Sequence, residues 1–304
     1  MKISVLIGTR NRPALLQRCI KSVLSQSYKN IEIWVLDDAS SPAINQRTIS
    51  ALSKTTPIRC IRADQQLGLN AVRNRLLKAA TGDLFFIIDD DAFFDADHAL
   101  QSVVNTFKTN QSLGIIATKI LDSRSGAVKP LTPHSRRHIK KDPSILDDQH
   151  LISYFLGGAH AIRRSVIETC GNFDEVLMYG LDEIELAYRA LGHGYEIQYL
   201  PEVIVHHQPP PPPKGAQKES PWRLYYLTRN RILFAYKHLP LRYTFSYIPG
   251  WLCWYGYKAA ISGLLPVYFK GIRDGIKTTK HLERQPVNNR TIGYLKANFG
   301  RLWR

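Results

Sequence analysis

Three consecutive carboxylates, Asp89-Asp90-Asp91, follow directly on the apolar run 84–88 of this 304-residue chain. A buried strand that ends in three acidic residues concentrates like charges at one edge of a sheet, which is unfavourable without a compensating cation. Mg²⁺ and Mn²⁺ prefer such oxygen ligands and often carry substrate phosphates as well. Because side chains alternate along a strand, we expect Asp89 and Asp91 to face the metal and Asp90 to point away. The alternative is a solvated acidic turn without a ligand.

Four short apolar runs place these carboxylates within a regular architecture. The runs at 3–7, 31–36, 58–61 and 84–88 alternate with helical patterns, the first of which begins at Pro13. Such alternation predicts βαβ units around a mostly parallel sheet, which is the α/β fold class. Ligands of these sheets bind beyond the carboxyl ends of the strands. The polar residues that fall at this edge are Thr9, Asp37, Asp38, Asp89 and Asp91.

Several familiar kinds of active site are missing from the sequence. There is no G-x-G-x-x-G loop, no Walker sequence and no G-x-S-x-G nucleophile motif. A diphosphate bound at this edge therefore needs its charge met by a metal ion and a few basic side chains. The four cysteines show no paired spacing, which is typical of reduced thiols in a cytosolic protein.

An ordered set of motifs resembles those of family 2 glycosyltransferases with the glycosyltransferase-A fold. The amino-terminal motifs are Thr9-Arg10-Asn11-Arg12, Asp37-Asp38, Gly68 with Arg73-Asn74, and Asp89-Asp90-Asp91. The downstream motifs lie at residues 155–159, 171–175, 179–186 and 201–206. Each motif is weak alone, but the ordered set over residues 1–207 is specific. The resemblance implies a Rossmann-like sheet flanked by helices.

The resemblance also implies roles for individual residues. It implies that the nucleotide is bound by Thr9, Arg10, Asp37, Asp38, Gly68, Arg73 and Asp90. It implies that the metal is held by Asp89, Asp91 and His206, with the imidazole favouring Mn²⁺ over Mg²⁺. For His206 and its neighbour His207 the alternative is an ordinary exposed pair at a strand end. Gly157 and Gly158 correspond to the loop on the acceptor side.

The catalytic base departs from the family pattern. The acidic pair of the family falls on Asp182-Glu183, so a glutamate stands where the basic aspartate is usual. Glu183 is the predicted base and Asp182 is the alternative. Both lie in the first turn of a predicted helix, whose dipole is expected to keep a carboxylate ionised at neutral pH. Glu185 is expected to pair with Arg189 at i+4 instead.

These assignments predict a metal-dependent, inverting glycosyltransferase. One carboxylate removes a proton from an acceptor hydroxyl, which displaces a UDP- or dTDP-type leaving group from the donor sugar in a single step. The alternative of a different class is a non-catalytic relative that binds a sugar nucleotide or a polysaccharide. Such a relative is expected to have lost its acidic residues, and this chain retains them. A sugar-phosphate nucleotidyltransferase is disfavoured because its glycine-rich amino-terminal loop is absent.

Positive charge is concentrated in the carboxyl-terminal part of the chain. Residues 1–213 hold 24 Lys and Arg against 22 Asp and Glu, whereas residues 214–304 hold 17 against 3 and carry 17 of the 31 aromatic residues. Five prolines at 209–213 predict an extended spacer between the two parts. The predicted organisation is a catalytic domain at 1–208, a linker at 209–221 and a helical region at 222–304.

The basic, aromatic region is predicted to bind an anionic membrane surface. Its longest uncharged run, 243–257, is shorter than the roughly 18–20 apolar residues that span a bilayer. An interfacial helix explains the composition, with aromatic side chains at headgroup depth and basic ones on anionic lipid. The aromatic residues concerned are Trp251, Trp254, Tyr255 and Tyr257. The alternative is a soluble helical subdomain or a homo-oligomer contact.

These expectations set the location and partners of the protein. The apolar run before Arg10 is too short for a signal peptide, so a cytoplasmic protein on the inner face of the membrane is expected. A nucleic-acid partner is not predicted, since no known module is visible. The resemblance suggests a saccharide acceptor linked to lipid. The polar loop at 122–148 either closes over donor phosphates or is a solvated insertion.

Overall fold

The computed structural model describes residues 1–123, 128–211 and 219–302. Within these ranges the chain forms ten strands in one sheet and eleven α-helices. The strands are β1 Ile3–Thr9, β2 Ile31–Asp37, β3 Ile58–Arg62, β4 Leu84–Ile88, β5 Ala92–Phe94, β6 Leu113–Asp122, β7 Lys129–Leu131, β8 His150–Leu151, β9 Ala159–Arg163 and β10 Glu196–His207. The helices are α1 Pro13–Leu24, α2 Gln46–Ser50, α3 Leu69–Ala79, α4 Ala99–Thr109, α5 Arg136–Lys141, α6 Arg164–Cys170, α7 Asp182–Gly192, α8 Pro221–His238, α9 Leu241–Ile261, α10 Leu265–Thr279 and α11 Asn289–Ala297.

The amino-terminal half of the sheet is parallel, as its alternating pattern predicts. The strand order is β3-β2-β1-β4, and each neighbouring pair is parallel. Every residue of β4 is buried, because helices cover both faces of the sheet there. The carboxyl ends of β1, β2 and β4 therefore meet at one edge, which places Thr9, Asp38 and Asp89 near one another.

The second half of the sheet is mixed and completes the same edge. Strand β9 lies antiparallel between β4 and β6, and β10 runs parallel to β6. The short strand β5 follows the three carboxylates and pairs antiparallel with the end of β10, where Ala92 lies opposite His207. This pairing brings the last residue of β10 back to the acidic turn.

Two hydrophobic clusters lie on the two faces of the sheet. One contains side chains of α1, α2 and α4, represented by Leu16, Ile49 and Val103. The other contains side chains of α3, α6 and α7. The molecule is therefore a three-layer α/β structure in which the sheet is covered on both sides.

The helical, basic and aromatic carboxyl-terminal region is confirmed, and part of it belongs to the main core. Phe234 of α8, Tyr247 of α9 and Leu295 of α11 are buried in the same cluster as Tyr188 and Tyr199. Helix α8 begins one residue before the predicted start at 222. Residues 212–218, more than half of the predicted linker at 209–221, lie outside the described residues.

No helix in the described ranges is both long enough and apolar enough to cross a bilayer. Helix α9 has 21 residues but contains Pro249 and several polar side chains.

Candidate active site

A cavity of about 570 Å³ opens at the carboxyl edge of the parallel strands. It lies between the turns after β1, β2 and β4 and the start of α3, and Met178 and Trp222 contribute to its wall. The predicted site residues that line it are Thr9, Arg10, Asp38, Gly68, Arg73, Asp89, Asp90 and Asp91. The structure thus brings most of the nucleotide and metal candidates into one space.

Two of the three carboxylates converge with a histidine. Ligand atoms of Asp89, Asp91 and His207 all lie within 4.8 Å of one another, a spacing that a metal ion can bridge. Nε2 of His207 is 3.2 Å from Oδ1 of Asp91. That oxygen is buried, and no described group makes a hydrogen bond to it. A buried carboxylate oxygen without a donor is costly, so the residues fit a divalent cation.

The pKa shifts of Asp89 and His207 are those expected of a site that binds a cation. Burial raises the pKa of Asp89 to about 6, and the neighbouring Asp91 adds to this rise while Arg73 opposes it. Burial lowers the pKa of His207, but the close, negatively charged Asp91 outweighs that effect, so the pKa of His207 is raised. A bound cation reverses both tendencies, since it favours the ionised carboxylate and the neutral imidazole.

The structure does not bring His206, the histidine predicted to complete the metal shell, to Asp89 and Asp91; His207 lies there instead. Its Nε2 lies 2.6 Å from Oδ1 of Asp95, and its ring stacks on Phe93 with centroids 5.1 Å apart. Along the last six residues of β10 the buried side chains are Val203, Val205 and His207, so His206 points to the opposite face. Because Val203, Val205 and His207 alternate in the sequence, the two valines indicate that His207 shares their face of the strand.

The middle carboxylate, Asp90, is held by the first βα turn. Oγ1 of Thr9 donates to Oδ2 of Asp90 at 2.7 Å. Nη1 of Arg12 lies 3.1 Å from Oδ1 of Asp90 and 2.9 Å from Oδ2 of Asp91. Arg12 is a cavity residue to which the sequence analysis gave no role. Arg12 directly precedes Pro13, the first residue of α1, and a basic residue there lies near the strand ends. This position in the sequence could have identified it.

Asp37 and Asp38 have different surroundings. Asp38 lines the cavity and accepts hydrogen bonds from the backbone N–H of Leu67 at 2.6 Å and of Gly68 at 3.4 Å. Gly68 has φ +90°, which favours glycine, and is the N-cap residue of α3. Asp37 is not among the residues that line the cavity. Its carboxylate instead accepts from the turn after β2 and from Arg62 at 2.5 Å.

The predicted base lies beside a buried arginine. Nη1 of Arg73 contacts Oδ2 of Asp182 at 2.7 Å and Oε1 of Glu183 at 3.4 Å, and Nη2 donates to the carbonyl of Gly157 at 3.1 Å. Asp182 is fully buried, whereas 17% of the Glu183 side chain is exposed. Of the two carboxylates, only Glu183 is partly exposed.

The surroundings of Glu183 oppose the ionised form that the helix dipole favours. Burial, and then repulsion from Asp182, raise the pKa of Glu183 to about 8 despite the nearby Arg73. This shift runs opposite to the one expected from the helix dipole, because desolvation exceeds the effect of the helix end. A pKa near 8 suits a group that exchanges a proton near neutral pH.

The loop with Gly157 and Gly158 separates the two centres. A Cβ at Gly157 falls 2.0 Å from Oε1 of Glu183, and one at Gly158 falls 3.5 Å from Oδ2 of Asp89. The carbonyl of Gly158 also accepts from the backbone N–H of Asp89 at 3.0 Å. The loop therefore touches the candidate base on one side and the candidate metal site on the other.

Comparison with known proteins defines the class to which this fold and site belong. Residues 4–171, more than half of the chain, match the family described as Glycosyl transferase family 2. The chain belongs to this family.

Solved structures show the same fold at low sequence identity. S. aureus TarS 1-349 in complex with UDP-GlcNAc has a TM-score of 0.64 at 15% identity, covering 96% of this chain and 83% of that one. The mannosyltransferase PcManGT of Pyrobaculum calidifontis, in complex with GDP-Man and Mn²⁺, has a TM-score of 0.57 at 18% identity, covering 97% and 79%. The chain therefore has the glycosyltransferase-A fold.

A curated relative from Campylobacter jejuni is named GalNAc(5)-diNAcBac-PP-undecaprenol beta-1,3-glucosyltransferase. It is 27% identical over 171 residues, which cover 55% of this chain and 53% of that protein. The chain spans about half or less of the length of most curated relatives that it matches.

Proposed function

We propose that this protein is a metal-dependent, inverting glycosyltransferase that moves a sugar from a nucleoside-diphosphate sugar to a hydroxyl of a saccharide acceptor. The observation that carries this proposal is the placement of Glu183 and the Asp89, Asp91 and His207 cluster on either side of the Gly157–Gly158 loop. A base and a diphosphate site must flank the anomeric carbon for a single displacement.

Asp89, Asp91 and His207 are the residues that would hold the cation. A bound Mn²⁺ or Mg²⁺ supplies positive charge to the departing diphosphate. The Mn²⁺ named with the Pyrobaculum structure supports this assignment. Arg12 contacts Asp91 of this cluster and the neighbouring Asp90, so its guanidinium is positioned to contact a phosphate oxygen as well.

Glu183 is the proposed base. It is the carboxylate with an exposed surface, and it lies against the loop that faces the acceptor side. Its Oε atom accepts the proton of the acceptor hydroxyl as that oxygen attacks the anomeric carbon. Asp182 is buried on Arg73 and positions that arginine rather than reaching substrate. With one base and no second carboxylate assigned as nucleophile, the displacement inverts the anomeric centre.

The nucleoside end of the donor is assigned to the first and second βα turns. Thr9, Arg10, Asp38 and Gly68 line that part of the cavity. We favour a UDP- or dTDP-type donor. The UDP-GlcNAc named with the TarS structure supports a uridine nucleotide. Because the Pyrobaculum structure is named with GDP-Man, a GDP-sugar is also included in the test.

The acceptor is proposed to be linked to lipid and used at an anionic membrane surface. The residues proposed for this surface differ in part from those suggested by the sequence. Tyr255 is only 5% exposed, and the ring of Trp251 packs under the guanidinium of Arg231 at 3.5 Å. Phe245 of α9, in contrast, is 78% exposed.

Helix α10 carries an exposed amphipathic face. Leu265, Phe269 and Ile276 are exposed and recur at i, i+4 and i+11, so they form one apolar stripe along the helix. The cationic residues Lys270, Arg273 and Lys277 lie on the neighbouring exposed side. An apolar stripe beside a basic one supports binding to the surface of an anionic bilayer. It argues against a symmetric contact between two copies, because like charges would meet.

The proposed function is tested by incubating the purified chain with UDP-, dTDP- and GDP-sugars and Mn²⁺ and measuring release of the nucleoside diphosphate. Turnover that requires Mn²⁺ and is lost in Glu183→Gln supports it, and proton NMR of the product gives the anomeric configuration. Retained configuration contradicts the single displacement. Binding of a donor without turnover under every condition supports a non-catalytic relative instead.

A further inference from the structure

A tryptophan forms part of the cavity wall, although neither the metal site nor the base requires one. Trp222 lies in the first turn of α8, directly after Pro221, and Ser220 caps that turn. Its side chain lines the cavity and is 51% exposed. A tryptophan in this state keeps a large apolar surface in water, which is unfavourable unless a ligand covers it.

Trp222 belongs to an aromatic cluster at the cavity wall. Its ring centroid lies 4.5 Å from that of Tyr179 and 5.1 Å from that of Tyr226. These contacts restrict the rotation of the indole, so the exposed face is held in place before a ligand arrives. Tyr179 lies three residues before Asp182. The cluster therefore adjoins the end of α7 that carries the base.

The segment that carries Tyr179 is fixed by α8. Met178 and Leu181 have φ of 57° and 72°, a region that residues other than glycine rarely adopt. Such a backbone persists only where its surroundings determine it. The buried side chain of Asn230 does so by donating from Nδ2 to three carbonyl oxygens. These are the carbonyls of Leu177 at 2.6 Å, Tyr179 at 2.9 Å and Gly180 at 3.2 Å.

We infer that Trp222 is a platform on which a pyranose ring of the acceptor stacks. This inference rests on the proposed function, because only glycosyl transfer requires an acceptor beside Glu183. The faces of a pyranose carry C–H groups, which pack flat on an indole while the hydroxyls at the rim remain free to hydrogen-bond. The acceptor is therefore a saccharide at the reacting end, not a simple alcohol or a protein side chain.

The ring is assigned to the acceptor rather than to the donor base because of the elements that carry it. Trp222 and Tyr179 come from α8 and from the segment that leads into α7. The nucleoside end of the cavity is formed instead by the turns after β1 and β2 and by the start of α3. Trp222 shares one cavity with that end, but its partner Tyr179 lies only four residues before Glu183 in the chain.

The test is saturation-transfer difference NMR on the full chain with UDP and Mn²⁺ present. The probes are methyl β-D-glucopyranoside, methyl β-D-galactopyranoside and methyl N-acetyl-β-D-glucosaminide. We expect transfer to the ring C–H protons of at least one probe and about a tenfold weaker affinity in Trp222→Ala. Trp222→Tyr is expected to restore most of the affinity. Leu241→Ala removes an exposed apolar side chain from the start of α9, away from any assigned role, and is the control.

Three outcomes overturn the platform. The first is that no probe binds to the wild-type chain, and the second is equal binding to Trp222→Ala. The third is a parallel loss of UDP affinity, which assigns Trp222 to the donor nucleoside. Titration of UDP, dTDP and GDP with Mn²⁺ separates these results from failure of the proposed function, since a chain that binds none of them has no donor site.

Discussion

Arg73 links the two chemical centres of the site at the scale of single residues. The resemblance implies that this arginine binds nucleotide, but its guanidinium lies against Asp182, Glu183 and the Gly157 carbonyl. Its charge also opposes the burial that raises the pKa of Asp89 to about 6. A buried cation between acidic groups stabilises their ionised forms, so Arg73 acts on both the proposed base and the proposed metal site.

The two adjacent histidines provide a direct test of the metal site. His207→Ala is expected to weaken Mn²⁺-dependent binding of UDP by about 10–100-fold, because it removes one of three ligand side chains. His206→Ala is the matched control, since His206 faces Asp95 on the other side of the strand. Isothermal titration with and without Mn²⁺ measures both. Equal affinities for the two variants would contradict the cluster as a metal site.

The pKa of Glu183 predicts how the reaction depends on pH. Because only the ionised carboxylate accepts a proton, kcat/KM is expected to increase as the pH rises and to level off above about 8. Glu183→Gln is expected to lower turnover by about 10²–10⁴-fold and to remove this limb of the profile. A pH–rate profile with UDP-sugar and Mn²⁺ measures it. If Asp182→Asn removes the limb instead, Asp182 is the base.

The same shift predicts a change in stability with pH. The folded pKa of Glu183 lies above its ordinary value of 4.5, so its contribution to stability is fully present below pH 4.5 and is lost as the pH rises through about 8. Glu183→Gln stays neutral throughout. Its Tm is therefore expected to exceed that of the wild type at about pH 9 but not at about pH 5. A Tm difference that is independent of pH would contradict the raised pKa.

At the scale of elements, the Gly157–Gly158 loop can pass close to Glu183 only because Gly157 has no side chain. Gly157→Ala places a methyl group 2.0 Å from Oε1 of Glu183, so Glu183 or the loop must move. A displaced base is expected to cost about 100-fold in turnover. Gly158→Ala is the control, because its nearest contacts, at 3.4 and 3.5 Å, are ordinary ones. Equal turnover in the two variants would show that Glu183 tolerates displacement.

At the scale of the whole molecule, the carboxyl-terminal helices are joined to the catalytic part by buried contacts. Nζ of Lys237 lies 2.8 Å from Asp174 and 2.9 Å from Glu185, and Phe234 packs on Tyr188. Truncation after residue 214 is therefore expected to expose a large apolar area and to abolish cooperative unfolding. Differential scanning calorimetry of the truncated and full chains measures this. A truncated chain with an unchanged Tm would mean that the two parts are independent.

Features that depend on local interactions could be predicted from the sequence, whereas those that depend on long-range contacts could not. The alternation of apolar runs and helices specifies the parallel strands, because local periodicity decides which faces are buried. Strands at 3–7, 31–36, 58–61 and 84–88 are accordingly confirmed within one or two residues. The acidic run after β4 and the family motifs located most of the cavity in advance, since the ends of parallel strands share one edge.

Only the tertiary structure distinguished between adjacent residues of similar type and set their surroundings. His207 rather than His206 joins Asp91, because the pairing of β5 with β10 and the phase of β10 select one face. Desolvation by distant parts of the chain, which no local pattern records, raises the pKa of Glu183 against the helix dipole. Trp222 reaches the cavity because α8 packs beside the segment before α7. Residue types and local order were therefore readable from the sequence, whereas burial and long-range contact, which set charge state and partners, came only with the fold.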